Sequence, residues 1–414
     1  MLKHGRPIHI ICLLFLITTY IVNFPGQADG SNFLQINAAG AVLMDAGSGQ
    51  VLFTLNPDQT MPMASTTKIM TALLVLEQCR LDEMVTTSDT AAMMEGTRVY
   101  LEPGETKTVE ELLFASLLNS ANDAAWALAE YVGKGSVENF VALMNRRAQE
   151  LGAINTQFVN PTGLHDPKHY STPRDLGLIT RQALKNPEFR RIVSTRTRPW
   201  MGNLYQNKLY NINRLLFSYQ GATGVKTGYT RQARNCLVAS AKRGDRELIA
   251  VILGSSGYDI WEDAARMLDY GFEHFCSQTL LTKNQFITRL ELPGGRSVEL
   301  LASRDLNVSV PINSEANHQS RVELNQSLKG RLPAGTIAGY ITFIVEGEEL
   351  EPVPLVTAAE VPPEPYFSLP LLIGGFAGLG GAIYWREHRR RRRVFSIKTR
   401  AAARRAARRH RRDA

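Results

Sequence analysis

Ile69, Ala72, Leu73 and Leu76 recur at helical spacing directly after Met63-Ala64-Ser65-Thr66-Thr67-Lys68. That spacing predicts a helix that packs one face into a core and carries Ser65 in its first turn. Residues three apart share a helix face, so Lys68 lies within reach of Ser65. A serine hydroxyl is a weak nucleophile until a neighbour takes its proton, and a lysine can do so only as the neutral amine. Its pKa, ~10.4 in water, must therefore fall. Burial, the positive end of the helix dipole and a second cation all act in that direction. On its own the motif is weak: about one or two Ser-x-x-Lys matches are expected by chance at average composition, mostly on solvated helix faces.

Strand signals precede this helix. Ala41 to Met44 and Val51 to Phe53 flank the turn Asp45-Ala46-Gly47-Ser48-Gly49 and read as a hairpin. Helical patterns follow over Val109–Leu118, Asn122–Val132 and Val137–Leu151, the last ended by Gly152. Between the first two, Asn119-Ser120-Ala121-Asn122-Asp123 is a polar break. It reads either as a helix cap or as a loop that presents Ser120 and Asn122. Gly224-Val225-Lys226-Thr227-Gly228-Tyr229 leads into strands Cys236–Ala241 and Leu248–Leu253, joined at Arg243-Gly244-Asp245. A lysine on a strand bordered by glycines can bring charge and backbone amides close to a ligand, or can sit on a solvated edge. The ordered set of Ser65-x-x-Lys68, Ser120-x-Asn122 and Lys226-Thr227-Gly228 is far more specific than any member.

With that set the chain resembles the penicillin-binding, serine-type D-alanyl-D-alanine carboxypeptidases of low molecular mass. The resemblance implies an α+β catalytic domain like that of β-lactamases and transpeptidases, an antiparallel sheet packed by helices, spanning residues 29–282. It implies Ser65 as acyl-forming nucleophile, Lys68 as its base, and Ser120 as proton relay to the leaving amine. Asn122 would hold the substrate amide, and Lys226 would depress a neighbour's pKa and attract the substrate. Thr227 would bond the terminal carboxylate, Gly228 completes the strand motif, and the N–H groups of Ser65 and Tyr229 would form the oxyanion hole. Arg214 lies near where the family often places a carboxylate-binding base. The implied substrates are peptidoglycan stem peptides ending in D-Ala-D-Ala, with β-lactams as covalent inhibitors and neither cofactor nor metal required. A transpeptidase and a penicillin sensor that never turns over are the alternatives.

Two departures stand out: Ala121 replaces a common glycine or aspartate, and Tyr229 replaces a histidine found in some relatives. The deacylating Glu-x-x-Leu-Asn segment of class A β-lactamases is absent, which favours a peptidase. His165-Asp166 invites a Ser-His-Asp triad, but the lysine already supplies a base.

The flanks are of another kind. Lys3 and Arg6 before the apolar run Ile8–Phe24, with small residues at Gly26 and Ala28, read as an export signal over 1–28 or as an uncleaved anchor. Short alternating strands, Phe286–Leu290, Ser297–Leu300, Val308–Val310 and Tyr340–Val345, predict a small β-sandwich over 283–358. A proline-rich linker, 359–366, precedes Phe367–Trp385, a charge-free run long enough for one transmembrane helix. The tail 386–414 carries fourteen Lys/Arg against two acids, so the net +8 of the chain conceals a body of −4. Nucleic-acid binding by the folded part is not expected. The positive-inside rule puts the tail in the cytoplasm and the catalytic domain outside the cytoplasmic membrane. Cys79, Cys236 and Cys276 are too few and scattered for a disulfide framework or metal cluster, and are expected as small buried groups.

Overall fold

The computed structural model describes residues 34–257, 259–363, 384–387 and 389. The expected signal and nearly all of the expected transmembrane run and basic tail lie outside those residues. Among the described residues no helix is long and apolar enough to cross a membrane. The chain divides into two compact units. One comprises the described residues up to Gln285 with Ala302–Glu323 and Tyr340–Pro354. The other comprises Phe286–Leu301, Leu324–Gly339 and the described residues from Leu355.

A five-stranded antiparallel sheet forms the middle of the first unit. Its strands are β1 (Gly40–Asp45), β2 (Val51–Leu55), β3 (Ala222–Thr230), β4 (Arg234–Arg243) and β5 (Arg246–Ser255), in spatial order β2-β1-β5-β4-β3. The expected hairpin is β1–β2, with Leu43 opposite Phe53. Alternation along the strands serves two cores. Val42, Val251 and Val238 line up across β1, β5 and β4 and face one apolar cluster. Their neighbours Leu43, Ala250 and Ala239 face the other. A sheet buried on both sides needs continuous apolar strands, as Leu248-Ile249-Ala250-Val251-Ile252-Leu253 provides.

Helix Ile260–His274 covers one face with Ile260, Ala264, Met267 and Leu268. The helical layer on the other face holds α1 (Lys68–Gln78), α2 (Val109–Leu118), α3 (Asn122–Val132) and α4 (Val137–Glu150), with Pro173–Leu184 between α1 and the sheet. The helix after Ser65 differs from the amphipathic element its spacing predicts. Every residue from Lys68 to Val75 is buried, because helices pack around α1 on several sides. Ser65 also precedes it, in the 3-10 turn Ala64–Thr67, and Lys68 is the first α-helical residue.

The region after the catalytic strands is β-rich as expected. Within the first unit Phe275–Leu281 pairs antiparallel with Leu306–Pro311, and Ile344 and Val345 pair with Glu349 and Glu348. In the second, Phe286–Leu292 pairs with the strand that begins at Arg296. Among the described residues the three cysteines are free, and of these only Cys236 is buried. Cys79 is half-buried where α1 ends, and Cys276 faces solvent from its strand.

Helix α2 begins with a reciprocal cap: Glu111 N–H donates to Thr108 Oγ1 at 3.1 Å, and Thr108 N–H to Glu111 Oε2 at 2.8 Å. Thr108→Ala removes the acceptor and should lower the unfolding free energy by about 1 kcal/mol in urea titration. An unchanged midpoint would mean that packing alone sets this terminus.

Candidate active site

Lys68 Nζ is wholly buried and donates to three oxygens: Ser65 Oγ at 3.1 Å, Asn122 Oδ1 at 2.7 Å and the Thr162 carbonyl at 2.6 Å. The last two can only accept. They occupy two N–H groups whatever the protonation state, so the third position of the nitrogen always points at Ser65. In the ammonium that position holds a proton. In the amine it holds the lone pair, in line for the serine hydroxyl. Burial, followed by the charge of Lys226, holds Lys68 well below its usual pKa, and buried Asp123 opposes them.

The polar break between α2 and α3 carries no side-chain cap on the helix that follows it. Ala121 caps α3 without a side-chain bond, and its methyl belongs to the apolar core, pointing away from any ligand. Ser120 takes a left-handed φ of +62°, a conformation that costs a residue with a Cβ roughly 1–2 kcal/mol. Asn122 is held at both ends of its amide: Oδ1 accepts from Lys68, and Nδ2 donates to the Glu95 carbonyl at 2.6 Å. One amide N–H is left for a ligand. Asp123, not singled out from sequence, accepts from the N–H groups of Val99 and Leu101 at 3.1 and 3.2 Å and ties down that loop. Burial raises its pKa.

Strand β3 is the sheet edge, so one row of its backbone groups is unpaired within the sheet and open to an extended peptide. Lys226 is buried, opposite Val238, and burial brings its pKa down to about 7. Its Nζ donates to the Thr227 carbonyl at 3.0 Å and to no side chain of the other motifs. A Cβ on Gly228 would lie 2.8 Å from the Ser65 nitrogen, so glycine alone lets this strand press against the Ser65 amide. The Tyr229 side chain turns out to solvent. Arg214 is exposed at the start of the short helix Leu215–Ser218 and bonds to no motif residue.

Opposite this strand lies a loop that sequence reasoning undervalued. Asn160 Oδ1 accepts from Thr162 N–H, Thr162 Oγ1 and Gly163 N–H, which shapes the turn that aims the Thr162 carbonyl at Lys68. Gly163, with φ +85°, backs onto Ala64: a Cβ there would stand 2.0 Å from the Ala64 oxygen. The Asn160-x-Thr162-Gly163 turn signature was the available clue. His165 takes no part in a triad. The buried imidazole of this loop is His169, which bonds Thr67 at 2.7 Å and not Ser65.

A buried lysine bonded to a half-buried serine beside the edge strand of an antiparallel sheet is the arrangement of an active-serine acyl-transfer enzyme. The D-alanyl-D-alanine carboxypeptidase profile of peptidase family S11 matches residues 26–257, and the profile of the penicillin-binding protein 5 C-terminal domain matches 275–363. The chain belongs to the S11 family of D-alanyl-D-alanine carboxypeptidases. It is 32% identical over 372 residues to D-alanyl-D-alanine carboxypeptidase DacF of Bacillus subtilis, covering 86% of this chain and 94% of that protein. The crystal structure of penicillin-binding protein 5 from Haemophilus influenzae superposes with a TM-score of 0.65 at 31% identity, over 79% of this chain and 98% of that one. The Streptomyces K15 DD-transpeptidase gives a TM-score of 0.55 at 37% identity, over 58% and 98%.

The two lysines make a pH prediction with a definite sign. A nearby cation disfavours the Lys68 ammonium, so removing it raises the Lys68 pKa and leaves less neutral base at a given pH. Lys226→Ala should therefore move the acid limb of the acylation rate to higher pH, and Lys226→Arg should hold it in place. An acid limb that stays put or moves down in Lys226→Ala would rule out this coupling.

Proposed function

We propose that Ser65 attacks the carbonyl of the penultimate D-alanine of a stem peptide while Lys68, as the amine, takes the hydroxyl proton. The oxyanion so formed is held by the N–H groups of Ser65 and Tyr229, the contribution usually largest in acyl transfer. When the C–N bond breaks, Ser120 passes a proton to the departing D-alanine. Water then hydrolyses the Ser65 ester and regenerates the enzyme. Asn122 orients both Lys68 and the substrate amide, Lys226 and Thr227 receive the terminal carboxylate, Gly228 gives clearance, and Arg214 contributes from outside. The activity is that of the family, D-Ala-D-Ala carboxypeptidase in peptidoglycan maturation, and β-lactams enter the same acylation step. The observation that carries this reading is the fixed pair of acceptors on Lys68, which leaves only the Ser65 direction open.

A transpeptidase reading uses the same acyl-enzyme with an amine in place of water. The Streptomyces K15 relative is a DD-transpeptidase, and its likeness to this chain gives that reading its weight. Incubation with a D-Ala-D-Ala peptide separates them: free D-alanine with a shortened peptide supports the carboxypeptidase, and cross-linked dimer supports the transpeptidase. Stable acylation with neither product would indicate a sensor.

For the remaining parts we read residues 283–358 as a small β-sandwich spacer that follows the catalytic domain of 29–282 in the chain. The signal of 1–28 exports the chain, the linker 359–366 leads to a single transmembrane helix at Phe367–Trp385, and the basic tail 386–414 stays in the cytoplasm. The charge asymmetry of the two flanks supports this orientation, with Glu360 and Glu364 before the helix and fourteen basic residues after it. Anionic lipid adds about 1 kcal/mol per basic residue near the surface.

Ser65→Ala should lose all covalent labelling by a fluorescent penicillin, and labelled mutant would disqualify this serine. Lys68→Arg should also lose it, because a guanidinium does not give up its proton. Lys226→Arg should keep more activity than Lys226→Ala, since carboxylate attraction asks only for a cation. A chain ending at Pro365 should be secreted active, and one ending at Trp385 should remain with the membrane. In intact spheroplasts added protease should spare an epitope at Ala414; its loss would reverse the proposed topology.

A further inference from the structure

Ser65 follows a residue in an unfavourable conformation: Ala64 has φ +48°, the left-handed region that residues with a Cβ avoid. What holds it there is a chain of bonds that ends on its carbonyl. The Val159 N–H donates to His169 Nδ1 at 3.1 Å, so that nitrogen carries the lone pair and the ring proton sits on Nε2. His169 Nε2 lies 2.7 Å from Thr67 Oγ1, which makes the hydroxyl an acceptor there and turns its own proton towards the Ala64 carbonyl at 2.8 Å. The imidazole is buried and edge-on to Phe158, with ring centroids 5.8 Å apart, and burial lowers its pKa to about 4. At neutral pH it is therefore the uncharged donor that the chain requires.

A trans peptide points its carbonyl and its following N–H in opposite directions. Fixing the Ala64 carbonyl therefore fixes the Ser65 N–H. Gly163 and Gly228 press on the same peptide from its oxygen and its nitrogen, where added Cβ atoms would stand 2.0 and 2.8 Å away. We propose that His169 and Thr67 are positioning residues that aim the Ser65 N–H at the developing oxyanion. The proposal rests on Ser65 as the nucleophile. Neither residue touches Ser65 Oγ, so neither is assigned a proton-transfer role.

The test uses the full-length protein with Thr67→Val, Thr67→Ser, His169→Ala and His169→Gln. Acylation by penicillin should slow about tenfold or more in Thr67→Val and His169→Ala, less than the ~10²–10³ loss on deleting an oxyanion donor. Affinity for a peptide boronate, whose tetrahedral adduct places an oxygen in the hole, should fall by a similar factor. Binding of an unreactive peptide should change by no more than about twofold, since the ground state makes less of that contact. Thr67→Ser and His169→Gln, which keep the donors, should recover most of the rate. Unchanged acylation in the folded variants would overturn the proposal, as would equal losses for boronate and unreactive peptide, or no recovery with serine. Should the variants fail to fold, ¹⁵N NMR of the wild-type imidazole decides: protonated Nε2 with bare Nδ1 supports the chain, and the opposite tautomer refutes it. Labelling of Ser65→Ala would instead remove the nucleophile assignment itself, a failure distinct from these.

Discussion

The amine of Lys68 is shut off from bulk solvent, and the site is built to make that tolerable. A buried cation without partners is expensive, and here the protein supplies three oxygens in fixed directions while lowering the pKa by burial and by a second lysine. The same burial that penalises the charged form favours the neutral amine. Full pairing with a carboxylate would have relieved the burial and raised the pKa. The nearest acid, Asp123, instead spends its oxygens on the backbone of residues 99 and 101.

The acceptors come from distant parts of the chain, 54 residues away for Asn122 and 94 for Thr162. Their convergence needs α1 in the middle of the helical layer, which is why its first two turns are buried on all sides and not on one. It also needs backbone in uncomfortable conformations: Ala64 and Ser120 are both left-handed without being glycine. Strain of this kind persists only where surrounding contacts over-determine it. Gly163 and Gly228 give that surrounding structure its close approach.

Much of the scaffold was legible in the sequence because its determinants are local. Helices α2 and α3 occupy the residues their periodicity indicated, Val109–Leu118 and Asn122–Val132, and the β1–β2 hairpin follows its glycine-rich turn. Less legible was anything whose cause lies across the fold. The spacing of Ile69, Ala72, Leu73 and Leu76 fits one-sided burial, yet Met70 and Leu74 are as deeply covered, because other helices close over them. Cys79 and Cys276 are not fully buried for a similar reason: Cys79, at the end of α1, packs against the core on one side only, and Cys276 stands on the exposed face of its strand. The strands at Phe275–Leu281, His318–Leu324 and Val353–Thr357 carry weak alternation and were not singled out.

By itself the sequence determined the order and chemistry of the parts: a serine and lysine on one turn, a serine and asparagine after a helix, and a lysine, threonine and glycine on a strand. Those are properties of neighbouring residues, and spacing along a helix or strand is enough to state them. The tertiary structure alone decided which groups meet. A main-chain carbonyl at Thr162 has no sequence signature as a ligand of Lys68, since every residue has a carbonyl and only the fold aims one. The same holds for His169, which reaches Thr67 across 102 residues and was one histidine among eight in the sequence. The lowered pKa of Lys68 also belongs to the fold, because the removal of solvent and the closeness of Lys226 exist only once the sheet and helices have packed.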